Sequence, residues 1–570
     1  MSSRRQWIVA EPDQRVAELA QQHQLSPLVV QVLLNRGLDE ADMLGRFLSP
    51  QLGQLRDPST LAGMDQAVTR LVGALEAREQ IGVFGDYDVD GVTSTAVVSW
   101  TLNQLGGRVL RHVPHRLLDG YGLSEAGLRV LADQGASLIV AVDCGVTAHA
   151  EIRAAQAMGL DVIVVDHHAL EASLPDAVAV VDPLRSDDHS GLDGLAAVGL
   201  AFFLCVALRR ALRERGFFAT REEPDLRQLL DLVALGTVAD QVPLTDQNRI
   251  LVHAGLKVLQ QASRPGIQAL CEVARADPAR LTSSRLAFQL APRINAAGRL
   301  GDAMAAVDLM LTDDPVQARS LASMLDVANS ERRSIENLVF EQACALVEAA
   351  GRGAIPEAIV IGDPGWHPGV VGIVASRLVE RYGRPSLLVG AEGRGSGRSV
   401  PGFNLHEALA AVQHHLIGFG GHAQAVGVRM RHQDLPALQN DLASEAARAL
   451  GQAAEAPPLM LDARLRVAEL DIGLAEELQR LAPFGRGNPE PLFVLDDVHF
   501  VSRSQVGGHH VRFVVEEAGR TASGIAFHMA DRLEAGDFAD GAQLAVVPEV
   551  DEWNGRRRLS LRTVDVIAPL

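Results

Sequence analysis

Three aspartates spaced two residues apart, directly after a short apolar run, constrain this chain more than any other stretch. The stretch reads Ile81-Gly-Val-Phe-Gly-Asp-Tyr-Asp-Val-Asp-Gly-Val-Thr-Ser94, and its acids are Asp86, Asp88 and Asp90. Because carboxylates packed together repel one another, such a group is best satisfied by divalent cations. Flanking glycines permit tight turns, and an apolar helical tract runs on to Leu105. The pattern predicts a strand, a carboxylate loop and a helix.

The triplet alone leaves two interpretations open. A solvated polar turn is as compatible with it as a metal site is, since short motifs match by chance. A calcium-binding EF-hand loop is a weaker alternative, because that loop follows a helix and needs a glutamate at its twelfth position. The rest of the chain has to decide between the two.

Composition narrows the class of protein. A chain of 570 residues is too long for one hydrophobic core and predicts three or four domains. The four cysteines are scattered without Cys-x-x-Cys pairing, which favours buried free thiols in a reducing cytoplasm. No apolar stretch approaches membrane-spanning length, and no signal-type apolar segment follows the first residues, so we expect a cytosolic protein. A net charge of -19 confines any nucleic-acid site to a local surface.

Between about residues 56 and 183, short β-branched runs alternate with helix-length tracts. This alternation is typical of a parallel sheet covered on both faces, and it predicts a doubly wound α/β architecture. The runs are Ile81–Phe84, Val109–Val113, Leu138–Val142, Val162–Val165 and Val178–Val181.

Acids and histidines follow four of these runs. Asp86, Asp143, Asp166-His167-His168 and Asp182 each come directly after one. Ligands of open α/β sheets bind outside the carboxyl ends of the strands, so we expect these side chains to converge. Asp182 precedes a proline and is interpreted as a turn residue, not a ligand. Another apolar segment, Asp231 to Ala239, ends at Asp240 and delivers one more carboxylate.

Such a shell of carboxylate oxygens and imidazole suits manganese or magnesium. The candidate metal ligands are Asp86, Asp88, Asp90, Asp143, His167 and Asp240. They outnumber the ligands that one ion requires, which favours two ions and two-metal phosphoester hydrolysis. Adjacent histidines in extended chain face opposite ways, so His168 is expected to meet substrate phosphate or to act in proton transfer.

The remaining chain divides into further segments. Residues 1–55 read as a small helical lead-in, and 56–310 as the metal-binding domain. One helical pattern from Pro315 to Ala350 predicts a long connecting helix within 311–350, and a second α/β domain spans 351–455. An alanine-rich linker over Ala446–Pro458 leads to 459–570, where short alternating runs predict a small antiparallel barrel.

These motifs resemble a known superfamily. Gly85-Asp-Tyr-Asp-Val-Asp-Gly91, Asp143, Asp166-His-His168 and Gly236-Thr-Val-Ala-Asp240 are similar to the four motifs of the DHH phosphoesterases, and Gly420-Gly-His422 to the signature of the DHHA1 domain. Within the superfamily, three further stretches resemble the RecJ family of bacterial single-stranded-DNA exonucleases. These are Ala291-Pro-Arg-Ile-Asn-Ala-Ala-Gly-Arg299, Trp366-His-Pro-Gly-Val-Val-Gly372 and Pro483-Phe-Gly-Arg-Gly-Asn-Pro489.

The resemblance implies 5′ to 3′ hydrolysis of single-stranded DNA to mononucleotides, with manganese or magnesium, in recombination and repair. It makes the last segment an OB-fold that holds the strand. The residues to which it gives catalytic roles are Asp88, Asp90, Asp143, His167 and His168. The residues to which it gives substrate contacts are His168, Arg293, Asn295, Arg299, Arg398, Ser399, Gly420, Gly421 and His422.

Two alternatives remain at this point. The same metal chemistry serves phosphatases and phosphodiesterases that act on short oligonucleotides or small phosphate compounds. A barrel from residue 459 onward would have no role in binding such small substrates. A non-catalytic replication scaffold is disfavoured because no motif aspartate is replaced. Gln241 departs from the small apolar residue expected in the family. A monomer is expected, with a single-strand binding protein and a helicase as candidate partners.

Overall fold

The computed structural model describes residues 6–116, 120, 122–350, 355–450, 458–553 and 556–569. Contacts divide the chain into two compact units. One unit comprises residues 56–242 and 254–455, and the other comprises 1–55, 243–253 and 456–570. The five-domain division predicted from the sequence stays a prediction. The linker proposed over Ala446–Pro458 lies mostly outside the described residues.

The larger unit contains a parallel sheet of five strands, here called the first sheet. Its spatial order is Arg108–His112, Gln80–Gly85, Ala136–Val142, Asp161–Val165, Ala179–Val181. Residues 138–142 of the third strand are completely buried, as expected for a strand covered on both faces. The predicted doubly wound α/β class is confirmed, and each predicted run lies within a strand or overlaps one.

Helices cover both faces of the first sheet and extend beyond it. Val89–Gln104 is nearly enclosed, and Leu230–Ala239 packs against it. The helices of this region are Met64–Ala77, Val89–Gln104, Glu125–Asp133, His149–Ala157, Ala197–Glu214, Leu230–Ala239, Asp246–Gln261, Pro265–Ala274, Ser283–Arg285, Ala291–Leu300 and Met304–Leu311, with a π-helical turn at Leu286–Leu290.

The long helix spans Pro315–Ala350, with the bounds that its apolar periodicity predicts. Ala318, Ala322 and Leu325 are buried near its start, and Val339, Ala343 and Val347 near its end. The first half packs against Ala291–Leu300, whereas the second half packs on Pro368–Tyr382. The helix therefore links the first sheet's domain to a second α/β layer.

That layer is a mixed five-stranded sheet, here called the second sheet. The order is Leu416–His422, Ala425–Met430, Arg394–Arg398, Ser386–Val389, Ile359–Gly362, and only the last pair is parallel. Pro368–Tyr382, Leu405–Ala411 and Leu435–Leu450 pack on it. Its register places His422 opposite Ala425, and Ala425 opposite Arg398. These three residues therefore lie at the same end of neighbouring strands.

The smaller unit is built on a closed barrel of five strands. They are Phe493–Val506, His510–Glu517, Arg520–Ala526, Arg556–Ile567 and Ala542–Trp553, and the last pairs with the first. The predicted barrel is confirmed. The pairing of Arg520–Ala526 with Arg556–Ile567 is parallel, so the barrel is not antiparallel throughout. Arg520–Ala526 lacks an apolar run, so its sequence alone does not mark it as a strand.

The N-terminal helices are part of this unit's core. Val16–His23, Pro27–Asn35 and Ala41–Leu48 bury side chains in one cluster with barrel residues such as Phe493 and Phe513. A strand absent from the sequence-based expectation, Trp7–Val9, pairs in parallel with Leu459–Leu461. Residues 6–55 therefore form a layer that packs on the barrel. Their helical pattern had suggested only a small helical lead-in. Helices Ile472–Gln479 and Ala530–Glu534 complete the unit.

Candidate active site

Three neighbouring strands of the first sheet end in the predicted acids. Asp86 directly follows Gln80–Gly85, and Asp143 follows the strand beside it. Asp166 ends the next strand, and the backbone N–H of Asp143 donates to the carbonyl of Val165 at 3.0 Å. Parallel strands bring their carboxyl ends to one edge, so acids distant in sequence meet there. This edge is the candidate site.

The carboxylate loop is fixed by helix N-termini. Asp88 caps the helix Val89–Gln104, with Oδ1 accepting the backbone N–H of Gly91 at 3.1 Å. Asp90 lies in the first turn and is completely buried, and its two oxygens accept the backbone N–H groups of Ala197 and Val198 at 2.8 and 2.9 Å. Hydrogen bonds to backbone N–H groups at these helix N-termini, which carry partial positive charge, hold both carboxylates in fixed positions at the edge of the first sheet.

Two glycines permit close backbone approach at this loop. A Cβ on Gly91 would lie 2.4 Å from the carbonyl oxygen of Asp86. A Cβ on Gly298, in the helix Ala291–Leu300, would lie 2.5 Å from the carbonyl oxygen of Tyr87. In the same helix Asn295 accepts the backbone N–H of Val89 at 3.2 Å. The helix therefore presses directly on the carboxylate loop and supports it.

The histidine pair is organised by Asp166. Oδ1 of Asp166 accepts the backbone N–H of His167 at 2.8 Å and lies 2.7 Å from Nδ1 of His168. Oδ2 accepts the backbone N–H of Val146 at 3.0 Å. Burial alone would lower the pKa of His168, but the bond to Asp166 and the charges of Asp166, Asp240 and Asp88 together outweigh it and raise that pKa to about 9. Asp166 thus orients His167 and His168, and its oxygens are used by hydrogen bonds instead of by a metal ion.

His167 points into the carboxylates. Its Nε2 lies 3.4 Å from Oδ1 of Asp143, and 3.8 Å from Oδ2 of both Asp90 and Asp240. Asp240 ends the helix Leu230–Ala239, which carries it to the site from outside the first sheet. All six predicted metal ligands are therefore brought together.

The donor atoms form overlapping groups that share residues. The potential ligand atoms at this edge form three groups, and the atoms within each group lie within 4.8 Å of one another. Asp143 belongs to two of these groups. Such sharing suits a centre that would hold two divalent ions. The groups are Asp86, Asp88 and Asp143; Asp90, His167 and Asp240; and Asp143, His167 and His168.

The electrostatics of these groups fit cations. Burial raises the pKa values of Asp86, Asp90 and Asp143 well above 3.8, and neighbouring carboxylates raise them further. Among the described residues, Oδ1 of Asp86 and Nε2 of His167 are buried without a hydrogen-bond partner. These buried carboxylates repel one another, and some of the ligand atoms have no hydrogen-bond partner in the protein. Divalent ions that prefer oxygen and imidazole ligands would relieve the repulsion and satisfy these atoms. Manganese and magnesium fit this shell.

Asp182 and Gln241 lie beside the centre. Oδ1 of Asp182 accepts the backbone N–H of Leu184 at 2.8 Å, as a turn residue does, and burial raises its pKa to about 7. Gln241 is exposed, and its backbone adopts the left-handed region with φ of 62°. Its side chain therefore lies at the surface directly after Asp240.

A cluster of arginines lies near the carboxylate loop. The guanidinium of Arg116 is 5.1 Å from the centre of the Tyr87 ring. Burial lowers the pKa of Arg299 to about 10, and the nearby charges of Arg116 and Arg398 lower it further. Burial and Arg116 also lower the pKa of Arg398. Partly buried arginines that destabilise one another's charge would be stabilised by an anion placed among them.

A helix N-terminus and a hydroxyl complete the arginine cluster. Arg299 donates to the carbonyl of Gly369 at 3.1 Å, in the first turn of Pro368–Tyr382. Arg398 donates to Oγ of Ser396 at 3.0 Å, and both side chains lie close to Gly372. The partial positive charge of a helix N-terminus favours the same anion. Arg116 and Ser396 were not among the predicted contacts, since no local pattern distinguishes them.

The other predicted substrate residues occupy different environments. Arg293 is paired with Asp326 at 2.9 Å and donates to the carbonyl of Gln289, which is a structural role. Ser399 is buried, and its hydroxyl donates to the carbonyl of Phe403 at 2.7 Å. The structure therefore does not bring Ser399 to the arginine cluster, whereas Ser396 is there. Gly420, Gly421 and His422 are exposed at the end of the strand Leu416–His422.

The barrel presents rings of mixed exposure. Phe513 is completely buried in its core, whereas Phe527 is 45% exposed. The Phe527 ring lies 5.2 Å from that of His510, which in turn lies 4.8 Å from His528. Exposed aromatic groups of this kind provide stacking surface for unpaired bases.

Comparisons with known proteins agree with this geometry. Family models match residues 80–237 (DHH family, N-terminal domain), 354–448 (DHHA1 domain) and 461–565 (RecJ OB domain). The chain is 40% identical to the single-stranded-DNA-specific exonuclease RecJ of Dickeya dadantii, over 94% of this chain and 95% of that protein. It is 37% identical to RecJ of Escherichia coli, over 96% of each.

Solved structures give the same result. RecJ from Thermus thermophilus in complex with Mn²⁺ superimposes with a TM-score of 0.84 and 31% identity, covering 100% of this chain and 80% of that one. RecJ from the same organism in complex with Mg²⁺ gives a TM-score of 0.77 and 30% identity, covering 99% and 79%. Among the described residues, no helix is both long and apolar enough to span a membrane.

Proposed function

The chain belongs to the RecJ family, and we propose that it is a metal-dependent exonuclease that removes mononucleotides from the 5′ end of single-stranded DNA. The observation that carries this proposal is the set of overlapping ligand groups at the edge of the first sheet, which together contain all six proposed metal ligands. Relatives named as single-stranded-DNA-specific exonucleases cover almost the whole chain, the barrel included. The proposal therefore concerns a polymer substrate.

Two Mn²⁺ or Mg²⁺ ions held by Asp86, Asp88, Asp90, Asp143, His167 and Asp240 would supply activation of water and stabilisation of the leaving oxygen. The protein's part is to hold these ligands in fixed positions. Helix N-termini do this for Asp88 and Asp90, and Asp166 does it for the histidine pair.

His168 is proposed to contact the phosphate that is cleaved. Its pKa of about 9 keeps the ring protonated at neutral pH, so it carries a proton and a positive charge beside a phosphodiester. A protonated ring stabilises charge that develops on phosphate oxygens, or delivers a proton to the departing oxygen. The bond from Asp166 to Nδ1 fixes the ring for either task.

The arginine cluster is proposed to hold the terminal phosphate of the strand. Arg116, Arg299 and Arg398 supply a fixed positive site, together with Ser396 and the first turn of Pro368–Tyr382. A site for one terminal phosphate at a fixed place relative to the metal centre would set the length of product, which is how an exonuclease releases single nucleotides. The exposed Gly420–His422 hairpin end would contact the strand on the neighbouring part of the second sheet.

The barrel is proposed to hold the strand by stacking. Phe527, His510 and His528 present rings at its surface, and Arg512 is exposed on the same strand as His510. Stacking on exposed rings is tolerant of base identity, which suits an enzyme that degrades any sequence. A cytoplasmic location, a monomeric state and cooperation with a single-strand binding protein or a helicase remain proposals.

The alternative is hydrolysis of short oligonucleotides or small phosphate compounds by the same metal centre. The specificity test is parallel degradation, in MnCl₂, of long single-stranded DNA, blunt duplex of the same sequence, a dinucleotide and pyrophosphate. We expect the single strand to be degraded and the blunt duplex to persist. Rapid hydrolysis of pyrophosphate or the dinucleotide with the long strand intact would favour the alternative.

A further inference from the structure

A second group of metal ligands lies in the domain of the second sheet, away from the acids of the first. His414, His415 and Asp441 each offer a ligand atom, and these atoms lie within 4.8 Å of one another. Nε2 of His415 is 2.8 Å from Oδ2 of Asp441, and Nε2 of His414 is 3.7 Å from the same oxygen. We propose that these three residues bind one zinc ion.

The elements that carry the ligands are distant in sequence and adjacent in space. His414 and His415 end the 3₁₀ turn Gln413–His415, whereas Asp441 lies on the helix Leu435–Leu450. The two imidazole rings lie together, with their centres 4.0 Å apart and their planes at 45°. Three donor atoms from two elements therefore face one point without any rearrangement of the backbone.

The distances suit a transition metal. Zinc binds imidazole nitrogen and carboxylate oxygen at about 2.0 to 2.2 Å, which places neighbouring donors about 3 to 3.5 Å apart. The separations of 2.8 and 3.7 Å bracket this range. His414 is 65% exposed, so its ring is free to adjust, and solvent provides the remaining ligands.

The donor set differs from that of the candidate active site. Two imidazoles and one carboxylate favour zinc and similar late transition metals, whereas a shell rich in carboxylates suits manganese and magnesium. Two other histidines of the same domain are engaged differently. The His406 ring packs near Phe419, and His432 bonds to the carbonyl of Gly390 at 2.9 Å.

The ion would tie the turn to the helix at the start of a functional strand. Leu416 directly follows His415 and begins the strand that ends in the proposed strand-binding hairpin. A bound ion that crosslinks Gln413–His415 to Leu435–Leu450 restrains the edge of the second sheet. Zinc bound there is thus expected to raise the melting temperature of the protein.

The test is the number of zinc ions bound per chain, measured by equilibrium dialysis against ZnCl₂ with the full-length protein. His414→Ala and Asp441→Asn should each weaken one site at least tenfold, so that one ion fewer is bound at limiting zinc. His509→Ala is the matched control, because it also alters an exposed histidine beside another histidine, and it should bind as wild type does. All altered side chains are at least half exposed or lie at the surface, so folding should survive.

Imidazole and carboxylate groups of the candidate active site can also bind zinc, so a second background is needed to separate the two sites. In Asp143→Ala, which damages that centre, the zinc-dependent rise in melting temperature should persist, and adding His414→Ala should remove it. Equal zinc stoichiometry in wild type, His414→Ala and Asp441→Asn would overturn the proposal. Loss of all tight zinc binding in Asp143→Ala alone would also overturn it.

Discussion

Nδ1 of His168 lies 2.7 Å from Oδ1 of Asp166, a carboxylate that also accepts the backbone N–H groups of Val146 and His167. One buried acid thereby fixes the loop, the orientation of the ring and its charge. Burial lowers the pKa of His168, but this bond, the charge of Asp166 and the charges of Asp240 and Asp88 together raise it to about 9. The relationship makes Asp166 a positioning residue whose removal has a defined pH signature.

Asp166→Asn should lower kcat/KM for single-stranded DNA by about 10- to 100-fold, as loss of a group that orients ligands does. The proton on His168 should also be lost at lower pH, so the alkaline limb of the rate profile should shift toward acid. In EDTA, a His whose pKa rises from 6.5 to about 9 on folding stabilises the fold below pH 6.5, and this contribution disappears as pH rises through 9.

The measurement is the pH dependence of kcat/KM, together with melting temperatures in EDTA. The difference in melting temperature between wild type and Asp166→Asn should be largest below pH 6.5 and smallest above pH 9. An alkaline limb at the same pH in both proteins would contradict the assigned role.

Mn²⁺ should stabilise the protein more at pH 8 than at pH 5.5. The pKa values of Asp86, Asp90 and Asp143 are raised well above 3.8 by burial, so the folded chain keeps protons that the unfolded chain has released. This part of the stability is present at low pH and is lost as pH rises through the folded pKa values. Cations replace those protons.

The shift of melting temperature on adding MnCl₂, measured at both pH values, checks this account. Asp143→Asn should reduce the shift at pH 8, since a shared ligand is lost. A shift of equal size at pH 5.5 and pH 8 would show that protons and metal ions do not compete at these acids.

Gly298→Ala should impair hydrolysis at least about tenfold, because the added Cβ would meet the carbonyl oxygen of Tyr87 at 2.5 Å and displace the carboxylate loop. Gly301→Ala is the matched control at the end of the same helix, where a Cβ would meet nothing closer than 3.7 Å. Titration of activity with MnCl₂ should show a higher requirement for metal in Gly298→Ala alone. Equal requirements in the two variants would argue against support of the loop by this helix.

Arg398→Gln should raise KM about tenfold or more for strands with a 5′ phosphate, because a charge-assisted hydrogen bond is lost. Strands with a 5′ hydroxyl should be affected less. Arg394→Gln alters an arginine on the same strand that is 44% exposed and lies near Glu392, and it should behave as wild type. The measurement is the steady-state rate of each variant on single strands that carry either a 5′ phosphate or a 5′ hydroxyl. The same loss on both strands would place Arg398 elsewhere along the DNA.

The convergence of the candidate metal ligands could be predicted because several of them follow strands of a regular α/β pattern. Asp86, Asp143 and His167 follow β-branched runs, and parallel strands send their carboxyl ends to one edge. The long helix could also be predicted from the sequence, because apolar residues repeat with a 3.6-residue period from Pro315 to Ala350 and few other structures give that pattern.

The arginine cluster could be recovered only in part. Arg116 lies in a turn, and Ser396 lies in a short strand whose sequence is mostly glycine, arginine and serine. Arg116 and Ser396 come together only through tertiary packing, which no local sequence pattern predicts. Ser399 was predicted to contact the substrate, yet its hydroxyl donates to the carbonyl of Phe403.

The barrel shows a similar limit. Arg520–Ala526 reads as a polar, glycine-containing stretch, and only its pairing with His510–Glu517 and Arg556–Ile567 makes it a strand. The N-terminal helices were predicted, but their apolar faces do not reveal which core they join. Pairing of Trp7–Val9 with Leu459–Leu461 unites the two ends of the chain.

The most direct test of the account follows single-stranded DNA labelled at either its 5′ or its 3′ end, in MnCl₂, with Asp143→Ala as the control. The account predicts early release of a labelled mononucleotide from the 5′-labelled strand, late release from the 3′-labelled strand, and a loss of rate greater than about 100-fold in Asp143→Ala with DNA binding retained. Early release of label from the 3′ end, or undiminished hydrolysis by Asp143→Ala, would contradict it.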